Sequence, residues 1–128
     1  MLSRGLVSGH WSSAGTENRR DFRAHLPRFS GENLRRNLEL VERLRGIADR
    51  KGATVAQLAI AWVLSRGEDI VPLVGARRRE RLAESLGAAD LILSGEDLAE
   101  IEAAVPADAA AGTRYDAGQM AMLDSERR

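Results

Sequence analysis

Four arginines fall within five residues of this chain, Arg77-Arg78-Arg79-Glu80-Arg81, directly behind the apolar run IVPLVGA. Guanidinium groups at this density have three chemical uses. They can form a solvated helix face laced with ion pairs. They can grip a nucleic-acid backbone. They can clamp a phosphorylated small molecule in bidentate fashion. An apolar strand that closes at Gly75, with a helix opening about two residues later, brings free backbone amides and the positive end of a helix to one spot, which attracts anions. On a helix Arg77 and Arg81 share a face, and Glu84 lies three residues beyond Arg81. A carboxylate there orients the guanidiniums or accepts a hydrogen bond from an amino group on a ligand. The residues alone leave the solvated face and the anion pocket both open.

Composition weighs against the nucleic-acid reading. Lysine plus arginine and aspartate plus glutamate number 19 each, so the formal net charge is zero, and aromatics make up 4%. A nucleic-acid reader carries a basic surplus and stacking aromatics among its basic residues. The chain has no cysteine, which removes thiolate and disulfide chemistry, and only His10 and His25 could offer imidazole to a metal. No Ser–His–Asp set or carboxylate pair stands out, so no residue is assigned a catalytic or metal-binding role. Nothing reads as a signal peptide or a membrane span, and a cytoplasmic location is the expectation. A second glycine-bearing stretch, LSRGLVSG, places Gly5 and Gly9 where backbone can approach a ligand closely, or where a plain turn forms.

The elements that must position these residues follow from periodicity. The 128 residues suffice for one domain with a core. Residues 1–9 read as the end of a strand running into a loop, and residues 10–31 as a long polar loop broken by Gly15, Pro27 and Gly31. Leu34, Leu38, Val41, Leu44, Ile47 and Ala48 form a helical stripe from a start at Ser30 or Gly31 to about Arg50, closed by Gly52. Thr54 caps a second helix, VAQLAIAWVLS, which is apolar nearly all round and therefore buried on more than one side. These helices occupy residues 32–66. Residues 69–75 read as a short buried strand, with Pro72 pushing it toward a sheet edge. A helix from Arg78 to Leu86 follows. Ser94 with Asp97 starts another helix like a capping box, with Leu98, Ile101, Ala104 and Val105 inward and Pro106 as its end. The last segment, YDAGQMAMLDSE, reads as a short helix with Met120 and Leu123 inward. The class is α/β with mostly helical content. Two parallel strands leave open edges, the mark of part of a larger sheet.

The stretch GATVAQLAIAWVLSRGEDIVPLVGARRRERLAESLGAADLILSGEDLAEIEAAVP resembles the C-terminal portion of an aldo-keto reductase. RGLVSG resembles that family's loop after the seventh barrel strand, and GTRYDAGQMAMLD resembles the ending of its bacterial and plant members. The resemblance is collinear over nearly the whole chain and least distinct in residues 10–31. It implies a partial (β/α)8 TIM barrel: the last two βα units, with strand eight at 69–75, and then the cofactor helix, an extra helix and the tail over 78–128, all as one domain. It also implies NADP(H) as cofactor and aldehydes or ketones as substrates. Carried across, Leu2, Ser3 and Gly5 would flank the pyrophosphate. Gly75, Ala76 and Arg77 would wrap the adenosine 2′-phosphate, and Arg81 would support it or stack on adenine. Glu84 and Ser85 would approach the adenine amino group. Two positions depart from the family pattern: Ala76 stands where a hydroxyl residue is common, and Ser85 where asparagine is usual. The family's catalytic tyrosine, lysine, aspartate and histidine come from the first half of the barrel, so the chain alone is expected to be inactive. The other expectation is a non-catalytic module that docks on another chain, one completing the barrel, through an open half-barrel face. Neither nucleic acid nor membrane is an expected partner.

Overall fold

A computed structural model describes residues 2–8 and 21–124; Gly9, His10 and Trp11 lie outside them. Five α-helices are described: α1 (Gly31–Arg50), α2 (Val55–Leu64), α3 (Arg79–Leu86), α4 (Gly95–Ala104) and α5 (Ala117–Met120). Short 3₁₀ turns precede α1 at Ser3–Ser8, Phe22–His25 and Pro27–Phe29, and another lies between α3 and α4 at Gly87–Asp90.

The core lies where α1 meets α2 and α4. The expected stripe is buried at Leu34, Val41, Leu44, Ile47 and Ala48, while Leu38 is half-buried at its edge. From α2 come Val55, Leu58, Ile60 and Ala61, and from α4 comes Ile101. Leu6, Leu26 and Phe29 close this core from the segments before α1. Residues 21–30 are therefore not a plain polar loop, because two large apolar side chains there have a core to enter.

Helix ends follow local chemistry. Lys51 is the C-cap of α1, Gly52 follows at φ +64, and the bonds Gly52 N to Asp49 O (3.1 Å) and Ala53 N to Ala48 O (2.9 Å) complete a Schellman closure. Thr54 with Gln57 and Ser94 with Asp97 form capping boxes at α2 and α4. Lys51 then reaches across to Asp97, Nζ to Oδ2 at 2.6 Å, and fastens the end of α1 to the start of α4.

The expected strands do not form among the described residues. The segment after Leu2 winds into 3₁₀ turns instead of extending. Residues 71–76 are irregular. Ile70 N donates back to Gly67 O at 3.2 Å, and no described backbone carbonyl accepts from the amides of Val71 or of residues 73–77. A strand requires a neighbour to complete its ladder, and the described residues offer none; Pro72 has no amide to give. Val71 and Leu73 are 80% and 87% exposed, so the expected burial is absent too.

Candidate functional site

The first wall is the turn Ser3–Ser8. Ser3, Arg4 and Gly5 are consecutive left-handed residues, with φ +45, +57 and +93. Such backbone is costly for side-chain-bearing residues and persists only where neighbours hold it. Gly5 N and Val7 N both donate to Leu2 O, at 2.8 and 3.3 Å. Leu6 is buried in the core and anchors the turn. Arg23 braces it from outside, donating Nη1 to Arg4 O at 2.9 Å. A Cβ at Gly5 would stand 3.2 Å from that same nitrogen, so the close approach favours glycine. Asp21 orients Arg23 through Nε at 2.9 and 3.0 Å. The Arg23 guanidinium in turn holds the Asp21 carboxyl below the ordinary carboxylate range.

The second wall is α3. Its N-cap position is Arg78, which makes no side-chain cap, and no residue of α3 is buried. It is seated on α2 and on the Gly87–Asp90 turn, whose Ala88 is buried. Arg81 Nη1 donates to Glu84 Oε2 at 2.9 Å, and Ser85 Oγ donates to Arg81 O at 2.9 Å. The expected neighbourhood of Arg81 and Glu84 is therefore present. Arg77 does not share a helical face with Arg81: it lies in the bend before α3, which opens at Arg79, one residue later than expected. Arg78 sits there too, so the arginine run is split between a bend and a helix.

Between the two walls lies an open cavity of about 440 Å³. Leu2, Arg4, Gly5 and Ser8 line it from the turn and Arg81, Glu84 and Ser85 from α3, together with Leu73, Val74 and Gly75 and with Ala56 of α2. Six of the nine residues expected from sequence are thus brought together: Leu2, Gly5, Gly75, Arg81, Glu84 and Ser85. Ser3 lines smaller hollows instead. Ala76 and Arg77 are exposed and outside the lining. Sequence reasoning missed Arg4, Ser8, Ala56, Leu73 and Val74. Arg4 and Ser8 lie inside the LSRGLVSG loop, but Ala56 carries no signal, because a small helix residue becomes a cavity wall only by packing.

Two guanidiniums, a carboxylate, two hydroxyls and apolar Leu2, Leu73 and Val74 make a lining suited to an anion carrying a planar polar ring. Among the described residues no cluster of three or more metal-ligating side chains occurs, and His25 is exposed. No described helix is long and apolar enough to cross a membrane.

Comparison with known proteins identifies the family. The aldo/keto reductase family model matches residues 3–106. Probable aldo-keto reductase 1 of Glycine max is 43% identical over 114 residues, 89% of this chain and 33% of that protein. Aldo-keto reductase yakc of Schizosaccharomyces pombe, whose name carries NADP(+), is 38% identical over 117 residues, 91% of this chain and 34% of its own length. Aldo-keto reductase str7 of Strobilurus tenacellus is 32% identical over 112 residues, 84% of this chain and 33% of its own. The chain spans about a third of the length of these curated relatives. It belongs to the aldo-keto reductase family.

Proposed function

With that family as premise, we propose that the cavity between the Ser3–Ser8 turn and α3 is the subsite for the adenosine and 2′-phosphate end of NADP(H). It would serve a reductase of aldehydes or ketones. One observation carries the reading: Leu2, Arg4 and Gly5 and, far away in sequence, Arg81, Glu84 and Ser85 wall a single cavity, which so holds two arginines. Arg81 supplies the charge for the 2′-phosphate, and the Glu84 carboxylate accepts from the adenine amino group, with the Ser85 hydroxyl beside it. Leu2, Ser3 and Gly5 provide turn backbone for the pyrophosphate. Gly75, Ala76 and Arg77 form the rim, and Arg77 reaches a phosphate by folding over the mouth. When bound, the cofactor supplies hydride to a carbonyl carbon. This chain's residues bind and orient one end of it. None is assigned to proton transfer, since Tyr115 is stacked against Arg4 in the tail, 4.2 Å from guanidinium carbon to ring centroid.

The experiment is a calorimetric titration with adenosine 2′,5′-bisphosphate and with AMP. The bisphosphate is expected to bind more tightly, and Arg81→Ala to remove about tenfold of that preference, the worth of one charge-assisted hydrogen bond. In the same chain, NADPH with a small aldehyde is expected to give no turnover above background. Equal affinity for the two nucleotides would overturn the 2′-phosphate assignment.

A second reading is favoured by one observation: Val71, Leu73, Leu86 and Ile92 are 65% to 87% exposed. An exposed apolar surface with unpaired strand-type amides suits a partner polypeptide that supplies a strand. A monomer at all concentrations in light scattering, with a cooperative melt, counts against it.

A further inference from the structure

Asn37 is the buried polar residue of the described core, 2% exposed. Its Nδ2 donates to Arg28 O at 3.0 Å and to Ala111 O at 2.9 Å, and its Oδ1 accepts from Ala111 N at 2.8 Å. A side chain here makes the two-way pairing a neighbouring strand would make, and it clips the tail to α1. The next residue, Gly112, has φ +79, and a Cβ there would stand 2.9 Å from the Pro27 carbonyl. Any side chain at this point would lift the tail off. Arg28 Nε donates to Gly112 O at 3.1 Å, and Thr113 Oγ1 donates to Tyr115 O at 2.7 Å. The tail then meets the left-handed turn: Arg4 Nη1 donates to Arg114 O at 3.0 Å, and the Arg4 guanidinium covers the Tyr115 ring. Arg4 is thus held by its carbonyl from Arg23 and by its side chain from the tail. It also lines the cavity, and its own φ is the kind that neighbours must enforce. These tail residues follow the family match, which ends at residue 106.

We propose that residues 111–115 are a positioning strap. Tyr115 and the Arg114 carbonyl fix Arg4, and through it they hold the Ser3-Arg4-Gly5 turn in the shape that walls the nucleotide subsite. The ligand half of this inference rests on the cofactor reading of the cavity; the strap itself does not.

The test uses the full chain with Tyr115→Ala and Tyr115→Phe. Amide hydrogen exchange is followed at Gly5 and Val7, whose amides close the turn on Leu2 O, and affinity is measured for adenosine 2′,5′-bisphosphate. Loss of the stacked ring is expected to speed exchange at both amides about threefold and to weaken the nucleotide by a similar factor. Tyr115→Phe keeps the ring and is expected to restore both values, which a general loss of stability would not allow. Unchanged exchange at Gly5 and Val7 in Tyr115→Ala overturns the strap, as does faster exchange spread evenly over α1 and α2. Should the unaltered chain bind no bisphosphate, the cofactor reading fails, and the exchange pattern still decides the strap.

Discussion

The α1–α2–α4 core and the α3 region treat apolar side chains in opposite ways. In the core, Leu44, Ile47, Leu58 and Ile101 face one another and are buried. In the segment before α3 and on α3 itself, Val71, Leu73, Leu82 and Leu86 face outward. Leucines stand in both places, so residue type alone does not decide the difference. Neighbours do: α2 lies between α1 and α3, and the described residues contain nothing beyond α3 to cover it. Stability therefore resides in one half of the molecule and the candidate ligand wall in the other, and three measurements test that division.

The largest effect is expected from truncating the core. Leu58→Ala leaves a cavity under α2 and should cost about 2–5 kcal/mol in a denaturant melt. Leu73→Ser, at an exposed site, should change stability by no more than about 0.5 kcal/mol. Comparable losses from the two would erase the contrast. Helix caps come next. Thr54→Ala breaks the α2 capping box and should cost about 1 kcal/mol. Arg78→Ser at the uncapped start of α3 should add stability by a similar or smaller amount. A neutral result at Arg78 with a loss at Thr54 would mean that α3 melts apart from the core.

The smallest effect is electrostatic. Asp97 is lowered to about 2, first by the hydrogen bond from Lys51 and then by those from the Ser94 backbone and hydroxyl. The unfolded carboxyl takes up a proton near pH 4, before the folded one does. Its contribution is thus complete above about pH 4 and is lost as the pH falls toward about 2. Asp97→Asn should flatten stability across that acid window and leave the pH dependence of nucleotide binding at α3 untouched. A wild-type melt without slope in the window would refute the α1–α4 clasp.

The helical half is legible in the sequence because its signals are local. The stripe from Leu34 to Ile47 repeats with the helical period, Thr54 and Ser94 stand where caps belong, and Gly52 marks an end. The strand reading of residues 69–75 rests on a short apolar run. Such a run shows that the chain can pair but not that a partner is present. Arg81 and Glu84 are legible as neighbours at a spacing of three. Arg77 is not, because α3 opens at Arg79, one residue later than the pattern suggests, and Arg77 is left in the bend before it, where helical spacing does not apply. Tyr115 reads from sequence as a mere tail residue, and its meeting with Arg4 crosses nearly the whole chain with no pattern to announce it.

Sequence by itself determined the family, the main helices with their caps, and most of the residue types at the candidate site, because each depends on spacing within one turn or on a collinear match. Only the tertiary structure decided which apolar side chains are covered, that Leu2, Gly5, Arg81 and Glu84 wall one cavity while Arg77 stands outside it, and that the tail grips the turn at Arg4. The physical reason is that burial and convergence are properties of surfaces meeting in space, and a chain's local periodicity carries no information about what it will meet.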